Sequence, residues 1–157
     1  KGRKSAFGAV GQISPDYLCM DGTIPVTKLP EVLEQVYAIG ERYGFEIANI
    51  FHAGDGNMHP LIMYDSHQPG VLDEVEACGA EILKACVDAG GCITGEHGVG
   101  IEKRDHMPLM FTPAELDQMK AVKRQFDPQW LLNGGKVFPL DEVGIPAGQI
   151  SPRAVAA

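Results

Sequence analysis

Several features are scarce or missing in this 157-residue chain, and each absence excludes a class of protein. No apolar run approaches the roughly 20 residues that a membrane-spanning helix needs. Lys and Arg total 13 against 21 Asp and Glu, and the resulting charge of −8 repels nucleic acid phosphates. The four cysteines form no CxxC pair, which favours a reducing compartment over a disulfide-stapled secreted protein. We therefore expect a soluble, cytoplasmic protein with no nucleic acid partner.

Two catalytic signatures are also missing. The glycine-rich segment GEHGVG lacks the GxGxxG spacing of a dinucleotide-binding turn, and no HExxH motif marks a helical zinc protease site. The length and the 45% apolar content are sufficient for one globular domain with its own core. We assign residues 1–140 to that domain. Residues 141–157 are rich in Pro, Ala and Gly, so we expect them to form a disordered tail.

Hydrophobic periodicity predicts the order of the helices and strands. Strands are expected near residues 17–20, 45–53, 58–64 and 92–94, and helices over 29–43 and 71–89. A Gly/Asp/Asn cluster joins the second and third strands as a hairpin connection. This order is the split βαβ pattern of an α+β ferredoxin-like sandwich, in which helices cover one face of an antiparallel sheet.

A helical extension is expected to follow the sandwich. The sequence Thr112-Pro113-Ala114-Glu115 supplies an N-cap, a proline in the first turn and a Glu that closes a capping box. The apolar residues of this helix are expected to face inward: Leu116, Met119, Val122 and Phe126.

Two glycine-rich segments carry histidines that could bind a metal ion. His52 and His59 flank the turn in HAGDGNMH, so their rings could converge from neighbouring strands, and Glu96 in GEHGVG would add a carboxylate. Such a set suits Zn²⁺, Mn²⁺ or Fe²⁺ and leaves positions open for a substrate oxygen. In an extended backbone the adjacent His97 would point elsewhere, where it could act as a general base.

The same residues allow other interpretations. Two histidines around a Gly/Asn turn are also typical of an exposed hairpin, and Glu96 could simply be a solvated loop residue. A metal site of this type would equally serve a stand-alone metal-dependent hydrolase, in which an activated water attacks the substrate. A third possibility is a non-catalytic module that binds a small acid or assembles with other subunits.

Longer segments narrow these alternatives. HAGDGNMHP (52–60), TGEHGVGIEK (94–103) and FDPQWLLNGGKVFP (126–139) resemble the C-terminal part of FAD-linked 2-hydroxyacid oxidases and dehydrogenases of the vanillyl-alcohol-oxidase superfamily. The opening segment is most similar to the FAD-binding catalytic subunits of bacterial glycolate oxidases. The resemblance implies oxidation of a small 2-hydroxy acid, with FAD as the hydride acceptor and a divalent metal ion.

The resemblance also implies roles for individual residues. The metal ligands would be His52, His59 and Glu96, and His97 would take the proton from the substrate hydroxyl. Arg3 would pair with the substrate carboxylate, a role that suits its planar fork of donors. Asn133 lies in a segment that approaches the flavin.

Two departures from the family pattern and the length of the chain qualify these roles. Asn133-Gly134-Gly135-Lys136 stands where the family usually has Asn-Pro-Gly-Lys, which makes this turn more flexible. Cys19 stands where some relatives with dicarboxylate substrates carry Lys, which favours glycolate or D-lactate.

The family's enzymes are about three times longer than this chain, so we expect the N-terminal FAD-binding domain to lie outside it and the isolated chain to be inactive. Expected partners are that domain and further glycolate oxidase subunits of flavin and iron–sulfur type. Those subunits could place the protein at the periphery of the inner membrane.

Overall fold

The computed structural model describes residue 5 and residues 8–140, so the predicted tail at 141–157 lies outside the described residues. The chain divides into two compact units, Lys1–His97 and Gly98–Ala157. No helix within the described ranges is long and apolar enough to cross a membrane.

The first unit contains a four-stranded antiparallel sheet. Its strands are β1 (Asp16–Cys19), β2 (Gly22–Thr23), β3 (Ile47–His52) and β4 (Asn57–Tyr64). Strand β4 is central: β1 and β2 pair with successive parts of one edge, and β3 pairs with the other edge. Seven of its eight residues are buried, which explains why its sequence is nearly continuously apolar. The α+β class predicted from the sequence is confirmed.

Helices α1 (Leu29–Tyr43) and α2 (Val71–Asp88) follow the predicted periodicity. Helix α1 ends at Gly44, whose φ of +77° is the left-handed conformation that glycine adopts without strain. The two helices contribute most of the fully buried apolar side chains of this unit: Val32, Val36, Val75, Cys78, Ile82, Leu83 and Cys86.

Both helices cover the same face of the sheet. Gly40 of α1 lies against Ile47, and Gly79 of α2 lies against Leu18 and Met20. Ile47 and Leu18 both pair with Ile62 of β4, so their side chains share one face. The opposite face carries the next residues in each strand, including His59 and Leu61. That second face holds the candidate metal ligands.

The predicted fourth strand at 92–94 forms only one pairing, an isolated bridge between Thr23 and Cys92. The chain passes very close to β2 here, since a Cβ on Gly91 would lie 1.8 Å from the Thr23 carbonyl oxygen. Further along the chain, the N–H groups of Gly95 and His97 donate to the Asp21 carboxylate.

The second unit contains a 3₁₀ helix (Arg104–Leu109) and helix α3 (Pro113–Phe126). The predicted capping box is present, with Thr112 N–H donating to Glu115 Oε2 at 2.7 Å and Glu115 N–H donating to Thr112 Oγ1 at 3.4 Å. After the helix, the Asp127 carboxylate accepts the backbone N–H groups of Leu131 and Leu132, which fixes the turn there.

One expectation for α3 was wrong. Val122 and Phe126 do not face inward: their exposed fractions are 63% and 83%. The covered stripe of α3 runs through Leu116 and Lys120 instead. Val122 lies six residues from Leu116, about 120° around the helix axis, and Phe126 is the last residue of the helix.

Candidate metal centre

The β3–β4 hairpin brings two histidines together. His52 is the last residue of β3 and pairs with Asn57, and His59 lies two residues further along β4, opposite Ile50. These positions are diagonal neighbours on one sheet face, within reach of long side chains. The two rings lie edge to face, with centroids 5.7 Å apart and an interplanar angle of 82°.

A second segment carries Glu96 and His97 to the same place. Glu96 Oε1 lies 3.2 Å from His59 Nε2 and 3.5 Å from His52 Nε2. The His97 ring stacks on the His59 ring, with centroids 4.9 Å apart and planes within 10° of parallel. The backbone bends at residues 95–97 instead of running extended, so both adjacent side chains reach His59.

His59 is the centre of this cluster. Its side chain is 4% exposed, and its Nε2 atom forms no hydrogen bond of acceptable geometry although carboxylate oxygens of Glu96 and Asp21 lie 3.2 and 3.3 Å away. Burial lowers the pKa of His59, and the neighbouring His97 lowers it further. The carboxylates of Asp21 and Glu96 raise this pKa, but their effects are smaller than that of burial. The ring is therefore held in the neutral form, which is the form that binds metals.

The donor set fits a divalent metal ion. Nitrogen and carboxylate donors bound at about 2.1 Å around a tetrahedral ion lie about 3.4 Å apart. The Glu96 oxygen lies 3.2 and 3.5 Å from the two histidine nitrogens, and all three donor atoms are within 4.8 Å of one another. A buried nitrogen without a hydrogen bond, facing two carboxylates, is what an ion-binding position requires.

Asp21 is the residue that sequence reasoning missed. It lies between β1 and β2 with no exposed surface. Burial alone would raise the pKa of Asp21, but donated hydrogen bonds, the strongest of them from His97 N–H and the Thr94 hydroxyl, hold it well below its usual range. The only local signal in the sequence is the Asp21-Gly22 pair, which is typical of a turn.

Asp21 also belongs to a second possible donor group. Its carboxylate, His59 and His97 offer donor atoms that lie within 4.8 Å of one another. This group shares His59 with the predicted set, so one nitrogen cannot serve both at once. The Asp21 oxygens already accept several hydrogen bonds, whereas Glu96 is 51% exposed and open to an ion.

The resemblance also named two other functional residues, Arg3 and Asn133. Arg3 is outside the described residues. Asn133 belongs to the second unit, where it is exposed and has a φ of +53°, a conformation in which Asn is enriched. Its carbonyl accepts a hydrogen bond from Lys136 N–H at 3.0 Å, which closes the Asn-Gly-Gly-Lys turn without the family's proline.

Sequence comparison identifies the family. Residues 1–137 match the family described as FAD linked oxidases, C-terminal domain. The chain belongs to this family. Curated relatives of this domain have names that describe oxidoreductases.

The domain is 54% identical over 138 residues to the glycolate oxidase subunit GlcD of Escherichia coli strain K12. This alignment covers 88% of the chain and 28% of that protein. It is 40% identical over 126 residues to the D-2-hydroxyglutarate dehydrogenase of Stutzerimonas stutzeri, covering 75% of the chain and 26% of the relative. A D-lactate dehydrogenase of Archaeoglobus fulgidus is 34% identical over 120 residues, 75% of the chain and 26% of that enzyme. The chain thus spans less than a third of the length of these curated relatives.

Proposed function

We propose that this chain is the substrate- and metal-binding domain of a flavin-dependent enzyme that oxidises a small 2-hydroxy acid to the 2-oxo acid. The observation that carries the proposal is the convergence of three donor atoms, the Nε2 atoms of His52 and His59 on the hairpin and Oε1 of Glu96 on a distant loop. The His59 nitrogen among them is buried and has no hydrogen bond. The family match supports oxidation over the hydrolytic alternative, since the relatives are named oxidases and dehydrogenases.

The residues divide into those that hold the ion and those that act on the substrate. His52, His59 and Glu96 hold a divalent ion, for which Zn²⁺, Mn²⁺ and Fe²⁺ are all suitable. When bound, the ion would supply Lewis-acid polarisation of the substrate oxygens, and FAD, bound mainly by a separate N-terminal domain, would supply the hydride acceptor. The substrate approaches from the side of Glu96 and His97, because both residues are exposed whereas His59 and Asp21 are buried.

His97 is the proposed general base. Stacking against His59 places its ring beside the ion-binding nitrogen, where the hydroxyl of a bound 2-hydroxy acid would lie. The backbone N–H of His97 donates to Asp21 at 2.9 Å, which limits the freedom of the residue. From the family resemblance, Arg3 pairs with the substrate carboxylate and Asn133 contacts the flavin.

The relatives' names and Cys19 support proposals for the substrate and the partners. We propose glycolate or D-lactate as substrate, because Cys19 offers no cation for a second carboxylate. The E. coli relative is named a subunit, which supports assembly with further glycolate oxidase subunits, and we assign these the flavin and iron–sulfur types. We place the protein in the cytoplasm, at the periphery of the inner membrane when those subunits are bound.

The test uses the complete flavoprotein that carries this sequence. We expect this flavoprotein to reduce an artificial dye when glycolate or D-lactate is supplied. The isolated chain should reduce the dye with neither substrate. His97→Gln should keep stoichiometric metal, measured by mass spectrometry, and lose about 10²- to 10⁴-fold in turnover, the usual contribution of a general base. His52→Ala should lose both metal and activity.

The matched control is His67→Gln, because the His67 side chain is 87% exposed and lies outside the cluster. Its activity and metal content should equal those of the wild type. Full activity in His97→Gln would remove His97 from the proposed mechanism. An unchanged metal content in His52→Ala would reject the metal centre itself.

A further inference from the structure

We infer that Asp21 is a positioning residue whose buried carboxylate holds the loop 94–97 in the shape that presents Glu96 and His97 to His59. The functional importance of this role of Asp21 rests on the proposed metal centre. Its structural basis is independent of any ion. Asp21 lies between β1 and β2, along the edge of β4 with which both strands pair, whereas the loop comes more than 70 residues later in the chain.

The loop wraps around this carboxylate. Asp21 Oδ2 accepts the Thr94 hydroxyl at 2.8 Å and the backbone N–H groups of Gly95 and His97 at 2.9 Å each. The Glu96 N–H lies 3.2 Å from both oxygens. Successive backbone N–H groups that converge in this way form a concave anion-binding nest. Here a side chain of the same protein fills the nest.

The anchor acts at the point where regular structure ends. The segment leaves α2, forms its one strand bridge at Cys92, and then has no helix or ladder to fix its path through residue 97. Gly95 N–H adds a hydrogen bond to the Asp21 carbonyl oxygen at 3.1 Å. The side chain and backbone of Asp21 therefore define where Glu96 and His97 can lie.

The same carboxylate connects the loop to the histidine strand. Asp21 Oδ1 lies 3.3 Å from His59 Nε2. Glu96 Oε1, which belongs to the loop, lies 3.2 Å from the same His59 nitrogen. A shift of Asp21 would therefore change the distance between Glu96 and both histidines. Positions of metal donors must be held to within about 0.2 Å, so we expect the ion's affinity to depend on this anchor.

Chemical rescue separates positioning from a general packing role. Asp21→Ala empties the nest but leaves its donors, so formate, a small carboxylate, should occupy it. In the metal-free 157-residue chain, we expect Asp21→Ala to exchange the amide hydrogens of Gly95, Glu96 and His97 faster, while β4 amides keep their protection. We expect Zn²⁺ affinity, measured by chelator competition, to fall about 10- to 100-fold, as for other residues that support metal ligands. Added formate should restore part of both properties.

Two further variants keep the inference falsifiable. Asp21→Asn preserves shape but replaces one acceptor oxygen with an NH₂ group, so it should show the same changes in a smaller degree even if Asp21→Ala does not fold. Asp73→Ala removes an exposed aspartate from α2 and should match the wild type.

Wild-type amide protection in Asp21→Asn would overturn the inference. So would a loss of Zn²⁺ binding in Asp21→Ala with unchanged amide exchange and no rescue by formate, since Asp21 would then be a ligand. If the wild type itself binds no Zn²⁺, the proposed metal centre fails, and the amide exchange of the variants alone decides the role of Asp21.

Discussion

Replacing Gly95 by alanine should displace the loop that carries Glu96. A Cβ on Gly95 would lie 2.5 Å from Asn57 Oδ1 and 2.8 Å from Thr23 Cγ2, and real Cβ atoms essentially never come closer than 3.0 Å. The Asn57 side chain is buried and that of Thr23 is half-buried, both on paired strands, so the loop moves more readily than they do. The required shift of about half an ångström is more than twice the ~0.2 Å tolerance of metal donor positions.

We expect two measurable effects of Gly95→Ala. Overpacking of this kind destabilises a protein by about 1–3 kcal/mol, which urea unfolding would show. The affinity for Zn²⁺ should fall by about tenfold or more, as when other groups that support metal ligands are altered. Chelator competition on the metal-free chain measures this affinity.

Gly54→Ala is the matched control for Gly95→Ala. Gly54 lies in the exposed β3–β4 turn, its φ is not in the left-handed range, and nothing lies within 4 Å of an added Cβ. Its Zn²⁺ affinity should equal that of the wild type, and its stability should stay the same or rise slightly. If Gly95→Ala also binds Zn²⁺ with wild-type affinity, the geometry of the loop does not control the metal centre, and the reasoning is refuted.

Three other predictions concern the rest of the chain. Thr112→Ala removes the capping box of α3 and should cost about 1 kcal/mol in urea unfolding, a result that an unchanged midpoint would contradict. Phe126→Ser should change stability by less than about 0.5 kcal/mol because the side chain is 83% exposed, and a loss above 2 kcal/mol would show that the ring is packed after all. Burial raises the pKa of the Cys78 thiol to about 11, so iodoacetamide at pH 8 should label Cys78 only after unfolding. Mass spectrometry identifies the labelled cysteines, and labelling of Cys78 in the native chain would contradict its burial.

The sequence predicted the elements whose signals are local. Helix α1 was predicted at its observed bounds because an apolar face, a proline in the first turn and Gly44 all agree. The β3–β4 hairpin and its two histidines were predicted for the same reason, since the turn residues and both strands are adjacent in the chain. The predicted ligands His52, His59 and Glu96 do lie together, and their binding of an ion stays a prediction.

Features that depend on distant segments were not predictable in this way. The contact of Asp21 with Thr94 joins residues 73 apart, and no local pattern indicates it. The predicted fourth strand forms only one bridge, and beyond it the N–H of Gly95 donates to the Asp21 side chain. Val122 and Phe126 fit an apolar helix pattern, yet neither lies on the stripe that α3 buries. Periodicity shows which faces are apolar but does not show what covers them.

The central claim is that one divalent ion is bound by His52, His59 and Glu96. Anomalous diffraction from a crystal of the chain grown with Zn²⁺ tests it most directly, because it locates the ion relative to named atoms. The account predicts one strong peak about 2.0–2.2 Å from His52 Nε2, His59 Nε2 and a Glu96 carboxylate oxygen. A peak on Asp21, His59 and His97 instead, or no peak near His59, would contradict it.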